Sequence, residues 1–317
     1  MTTRTPLNAR RDASSGIGYY NMGCSLLLTG DFTQARAHLD RAIALYDPAA
    51  HRPLATGRSQ DIGTAILVFR AVALWMLGYP EAALADADHA LKHAREIGHA
   101  PTLMHALGWT GLVQIECGSD LAAKARADEL VLLADEKAAL LWKALGTAIQ
   151  GCVLAPSGDA SNAVQLISSG IAAFRSTGAA VGTPWLLSYL ARAYAALGQF
   201  DDAWCCAGEA MAKAEATRER CTDAEIHWAA GEIALLSPEP DTAKAKAHFE
   251  GALAIAREQR AKSWELRAAM SMARLYRDQG KREEARDLLA PVYGWFTEGF
   301  DTLDLKEAKA LLDALAS

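Results

Sequence analysis

Residues 19–47 read YYNMGCSLLLTGDFTQARAHLDRAIALYD. An apolar run reaches a turn at Gly30, and small or apolar residues resume beyond it at Phe32, Ala35 and Ala42. Two helices joined by a glycine turn are therefore expected, because glycine is a strong local stop and the residues on either side carry helical spacing.

The same punctuation recurs along the chain. Gly118, Gly158 and Gly198 each follow an apolar helix and fall 40 residues apart, and Gly280 lies 82 further on, leaving room for one more unit. Its turn is Ser237-Pro238-Glu239-Pro240, where prolines replace the glycine before a helix that resumes at Asp241. Upstream, Gly30 and Gly78 mark two further units at a looser spacing of 48 and then 40, which makes seven hairpins. A second register sits seven residues before each turn: Gly23, Gly111, Gly151 and Gly231, with Ala71, Ala191 and Ala273 in the other units. Small residues there let the second helix of each hairpin cross close to the first. Between turns the spacing is helical, as in Phe200, Ala203/Trp204, Ala207, Ala210/Met211 and Ala214, while Asp201, Asp202, Glu209 and Lys213 face water. No comparable run alternates with period two. One hairpin cannot bury its apolar stripe alone, so the units are expected to stack into one continuous coil.

Residues 19–47 match the tetratricopeptide pattern at Tyr19, Gly23, Gly30, Phe32, Ala35 and Ala42, whereas the other hairpins match in part and keep a period near 40 instead of 34. The resemblance implies an all-α, right-handed superhelical solenoid of about seven hairpins, closed by a C-terminal capping helix. The repeat domain is expected over 16–317, after a disordered lead at 1–15. Three segments, LGYPEAAL (77–84), AREIGHAPTLMHALG (94–108) and LLAPVYGWFTEGFDTLDLKEAKALLDAL (288–315), resemble the C-terminal repeat region of bacterial signalling proteins in which a class III adenylate or guanylate cyclase domain and an AAA-type ATPase precede the repeats. That resemblance implies a regulatory role in signal transduction, with an upstream cyclase or ATPase module as a partner. Neither G-x-x-x-x-G-K-[ST] nor a cyclase-like αβ segment occurs in this chain, so nucleotide chemistry is not carried over.

Composition narrows the function further. The chain has 317 residues, 51% of them hydrophobic and 7% aromatic, and a net charge of -6, which leaves no electrostatic footprint for nucleic acid or an anionic membrane. No apolar run is long enough to span a bilayer, and the N-terminus carries Arg4, Arg10 and Arg11 without the apolar core of a secretory signal. The six cysteines form no C-x-x-C and no zinc spacing, and they read as reduced cytoplasmic thiols. No cofactor is indicated.

Three clusters resemble chemical sites and are read as structure. Asp86, His89 and His93 could share a helix face and hold a metal, but no third strong ligand is near and HALKHAREIG reads as a polar outer face. Vicinal Cys205 and Cys206 point about 100° apart on a helix, which disfavours a redox pair. No nucleophile elbow accompanies any serine. A non-catalytic module is the expectation.

The surface such stacks offer is the concave face, lined by the first helix of each hairpin. In this register Tyr20, Val72 and Trp75 give an apolar N-terminal groove, and Trp185, Arg192, Trp228, Glu232, Arg274 and Arg277 give a charged, aromatic C-terminal one. Aromatic and arginine side chains are the usual interface anchors, so a protein or peptide segment is the expected guest. The inward positions of the first repeats, Tyr20, Cys24, Val68 and Val72, lack the Lys, Asn and Arg of the carboxylate clamp that holds chaperone tails, which disfavours that mode. Two further readings stay open: the apolar positions can be plain core or the bed of an upstream domain, and Arg192, Glu232 and Arg274 can pair with one another. A small effector bound near Trp75 is the alternative function.

Overall fold

The computed structural model describes residues 6–55 and 60–316. Among them there is no strand. Seven helical hairpins follow in chain order: α1 (Pro6–Leu28) with α2 (Phe32–Ala44), then, after a short α3 (Pro48–Ala55), α4 (Ile62–Met76) with α5 (Pro80–Ile97), α6 (Ala100–Glu116) with α7 (Asp120–Glu136), and α8 (Leu140–Leu154) with α9 (Ala160–Ser176). Next come α10 (Thr183–Ala196) with α11 (Phe200–Thr217), α12 (Asp223–Leu236) with α13 (Thr242–Gln259), and α14 (Lys262–Asp278) with α15 (Arg282–Tyr293); α16 (Leu303–Ala316) caps the stack. The eight residues of α3 account for the wide spacing between Gly30 and Gly78. Residues 1–5 of the expected lead lie outside the described residues, and from Pro6 onward the chain is already helical, so residue 16 marks no break in α1.

The turns form for local reasons. Asp31, Asp61 and Asp241 precede α2, α4 and α13 and accept hydrogen bonds from the backbone N–H groups of Gln34, Thr64 and Lys244, at 3.1, 2.9 and 2.9 Å, which satisfies donors the first helical turn leaves open. The turn glycines 30, 78, 118, 158, 198 and 280 all have positive φ. A parallel series closes the second helices: Gly98, Ala138, Gly178, Arg218 and Arg260 are also left-handed and again lie about 40 residues apart. Five of the hairpins thus end in a second left-handed reversal; the turn within a hairpin is glycine except at Ser237–Pro240, whereas the second reversal is glycine only at Gly98 and Gly178.

Packing supports the small-residue register. A Cβ on Gly151 would lie 2.9 Å from the Ala163 carbonyl oxygen, one on Gly231 would lie 2.4 Å from the Phe249 ring, and one on Gly23 would lie 2.7 Å from Leu39. These first helices touch the second helices at the glycines themselves. Gly111 differs, since its nearest neighbour would be Ile149 at 3.8 Å.

The coil returns on itself. The Ser263 hydroxyl at the start of α14 donates to the Trp75 carbonyl oxygen near the end of α4, at 2.5 Å, and the Ala82 N–H donates to Glu298 at 2.9 Å. The last hairpin and its cap therefore lie against the second and third hairpins, and the first helices surround a lumen.

Candidate functional site

One carboxylate organises this lumen. Glu116, the last residue of α6, is 6% exposed. Its Oε1 accepts from the Trp185 indole N–H at 2.9 Å and from the Tyr189 hydroxyl at 3.1 Å, both on α10. Its Oε2 accepts from the Arg267 guanidinium of α14 at 2.5 Å, and Arg267 also donates to the Glu116 carbonyl at 2.8 Å and to Asp304 of α16 at 2.9 Å. The guanidinium sits over the Trp75 and Trp264 rings, 5.1 and 4.8 Å from their centroids. Burial alone would lower the pKa of Arg267, but Asp304 and Glu116 outweigh it and hold the pKa above the ordinary arginine value. Charge-assisted bonds of this kind are the strong ones, and here they cross from the third hairpin to the fifth and the seventh.

Trp185 and Tyr189, in contact with centroids 4.4 Å apart and rings tilted by 41°, stand in the wall between two chambers. The first has a volume of about 100 Å³ and is lined by apolar groups including Leu27, Phe69, Val72, Trp75, Trp109 and Trp185. Val181, 45% exposed, stands at its rim. Among its lining residues, Glu219 has Oε1 buried without a hydrogen-bond partner, while its Oε2 accepts from the Gly182 N–H at 2.9 Å. The second chamber holds about 370 Å³ and is lined by Tyr189, Arg192, Trp228, Glu232, Arg267 and Arg274, among others. Exposed Leu236 and Leu303 form its rim.

In the polar chamber Arg192 lies over the Trp228 ring at 4.7 Å and the Tyr189 ring at 5.2 Å. Glu232 accepts from the Ser271 hydroxyl at 2.6 Å, and Ser271 in turn accepts from the Trp228 indole N–H at 3.0 Å. Arg274 pairs with Glu307 of α16 at 2.7 Å. The pairing of Arg192, Glu232 and Arg274 with one another does not occur among the described residues. Close by, both Glu225 oxygens are buried without a hydrogen-bond partner; burial first and the Glu116 charge second push its pKa well above the ordinary carboxylate value.

The structure brings seven of the nine sequence-derived groove residues to this lumen, Val72, Trp75 and Trp185 in the apolar chamber and Arg192, Trp228, Glu232 and Arg274 in the polar one. Tyr20 lines neither and packs on Phe69, with centroids 6.0 Å apart. Arg277 is exposed and pairs with its neighbour Asp278 at 2.9 Å. Glu116, Asp304 and Ser271 were not singled out in the sequence. Glu116 carried a signal, being the single charged residue of the helix Ala100–Glu116. The apolar groove positions are in part core: Val68 is fully buried and Trp75 is 3% exposed.

The other clusters resolve as structure. Asp86 turns inward to Arg70, at 2.6 Å, while His89 is exposed and His93 meets the Thr64 hydroxyl at 3.1 Å, so the three do not converge. No group of three or more His, Cys, Asp or Glu able to hold a metal occurs among the described residues. The cysteines are free, Cys205 exposed and Cys206 partly covered. No helix of the described residues is long and apolar enough to cross a membrane.

Tetratricopeptide repeat models match residues 18–47, 64–85, 184–203 and 266–293. No protein of curated function matches the sequence. Among solved structures the chain is similar to the apo form of RapI (14% identity, 94% of this chain and 99% of that one, TM-score 0.57). It is also similar to a Rap protein complexed with competence and sporulation factor (14%, 99% and 78%, TM-score 0.64) and to the Rap conjugation gene regulator of plasmid pLS20 in complex with the Phr* peptide (13%, 92% and 73%, TM-score 0.57). At these identities the likeness is one of fold. The chain carries tetratricopeptide repeats, stacked as an all-helical solenoid around a two-chambered lumen.

Proposed function

We propose that the chain is a non-catalytic interaction module that receives a peptide or protein segment in its lumen. The observation that carries this reading is the polar chamber of about 370 Å³, where a stacked arginine, a tryptophan and a glutamate converge beside an apolar chamber. Few, well-placed polar groups against an apolar wall give both orientation and affinity. Two of the similarly folded structures are complexes with a factor or peptide, which supports the same use of this fold. A regulatory role in bacterial signalling, in the cytoplasm and alongside a cyclase or ATPase module, rests on the resemblance of segments 77–84, 94–108 and 288–315.

The test is selection from a displayed random-peptide library, followed by binding measurements on variants. Enriched peptides should bind the natural chain and lose affinity on Val72→Trp, which fills the apolar chamber, and on Arg192→Glu. Lys213→Glu, on the exposed face of α11, should leave binding unchanged. Peptides indifferent to both lumen substitutions would defeat the reading.

The apolar chamber favours a second reading, a small effector bound against Trp75, Trp109 and Trp185. A compound that fits there should change tryptophan fluorescence and raise the melting temperature, since a ligand bound only by the folded form must stabilise it. The effector reading is lost if Val72→Trp leaves such a response intact.

A further inference from the structure

The polar chamber contains an uneven distribution of charge commitments. Arg267 is committed to Glu116 and Asp304, and Arg274 to Glu307. Arg192 and Glu232, from neighbouring hairpins, both line the chamber, yet among the described residues neither forms an ion pair with the other or with any third group. Arg192 is nonetheless fixed: its guanidinium is stacked on Trp228 and Tyr189, which leaves its edge N–H donors uncommitted. Glu232 is fixed as well, because Ser271 donates to one oxygen and is itself held by the Trp228 indole, leaving the other oxygen as a free acceptor. Asp120 also lines the chamber but stands exposed at its rim.

A preoriented cation and a preoriented anion that do not satisfy each other are the complement of a molecule carrying both charges. We infer that the polar chamber binds a short zwitterion, a free amino acid or a peptide of a few residues with both ends charged. Its carboxylate meets the Arg192 guanidinium, the planar fork that suits a carboxylate best, and its ammonium meets Glu232. A volume of about 370 Å³ accommodates a ligand of that size and not a folded segment. The inference rests on the lumen being the binding site and specifies what one end of it reads.

The probes are L-alanine and its di-, tri- and tetrapeptides, each also in N-acetylated and C-amidated form, followed by saturation-transfer NMR and calorimetry. The distance between ammonium and carboxylate grows along this series, so one or two lengths should bind best. Blocking both ends should weaken binding about tenfold or more, the effect expected for losing hydrogen bonds to charged groups. Arg192→Met and Glu232→Gln should each cause a similar loss for the free peptides with the melting temperature retained, and Arg192→Lys should restore part of it. If blocked and free peptides bind equally, the zwitterion assignment fails while the peptide reading of the lumen stands. If no member binds, the assignment fails too, and the displayed-library selection decides the broader reading independently.

Discussion

Arg267 and Glu116, 151 residues apart in sequence, are joined by a 2.5 Å hydrogen bond across the lumen. This contact ties the seventh hairpin to the third, a link that a solenoid whose hairpins touched only their neighbours would lack. Around it the Trp75 and Trp264 rings meet edge to face, 5.3 Å between centroids, and the Ser263–Trp75 bond closes the seam on the same side.

Removing one member of this group should therefore cost far more than removing a surface ion pair. Arg267→Ala leaves Glu116 and Asp304 as largely buried carboxylates without a counter-charge, and about 3–5 kcal/mol of destabilisation is expected. The double variant Arg267→Met, Glu116→Gln removes the charge imbalance and should recover part of that loss. Thermal and urea melts of the three chains check the order. Arg274→Ala, which breaks only the half-exposed pair with Glu307, should fall within about 1 kcal/mol of the natural chain.

The left-handed turns offer a gain of stability. Ala138, Arg218 and Arg260 have φ of 51°, 59° and 55°, a region that costs an L-residue about 1–2 kcal/mol. Glycine removes that cost and returns some of it as added freedom of the unfolded chain. Ala138→Gly, Arg218→Gly and Arg260→Gly are each expected to stabilise by roughly 0.5–1 kcal/mol. A rise in melting temperature for each, close to additive in the triple variant, is the measurement.

Glycines in one sequence register should not respond alike. At Gly151 an added methyl would press on the Ala163 carbonyl oxygen at 2.9 Å and the Ile167 N at 2.9 Å, backbone atoms that move only with their helix. Gly151→Ala should cost about 1–3 kcal/mol. At Gly111 the methyl meets only side-chain atoms at ordinary contact distance, and Gly111→Ala should stabilise by roughly 0.5–1 kcal/mol through helix propensity. Parallel melts of the two variants should move in opposite directions.

These contrasts mark how far the sequence could be read. The hairpin turns were legible because Gly30, Gly78, Gly118, Gly158, Gly198 and Gly280 advertise positive φ by residue type. The reversals between hairpins were legible only in part, because Gly98 and Gly178 advertise the left-handed φ but Ala138, Arg218 and Arg260 adopt it against their residue type. Seven of the nine groove residues line the two chambers, because helical register alone decides which way they point. Tyr20 and Arg277 fell outside the lumen because register says nothing of where the coil begins and ends its inward turn. Glu116 and Asp304 escaped notice for a related reason: their partner Arg267 arrives from 151 and 37 residues away, a separation that no local pattern encodes.

His105 gives the chain a dependence on pH whose sign follows from burial. It lies in α6, 4% exposed, between Phe69 and Trp142 with ring centroids 5.8 Å away in each case, and its Nδ1 has no hydrogen-bond partner. Burial lowers its pKa from 6.5 to about 4. Between those values the unfolded chain holds a proton that the folded chain does not, so stability falls as the pH drops through this window; above about 6.5 the contribution is constant, and below about 4 it changes no further. The full effect is on the order of 3 kcal/mol. His105→Leu fills the same space without titrating and should flatten this part of the acid limb. Urea melts of both chains at pH 7, 5.5 and 4 should show the natural chain losing ground to the variant at each step. Equal losses in the two would mean that the imidazole is already protonated, or already solvated, inside the helix stack.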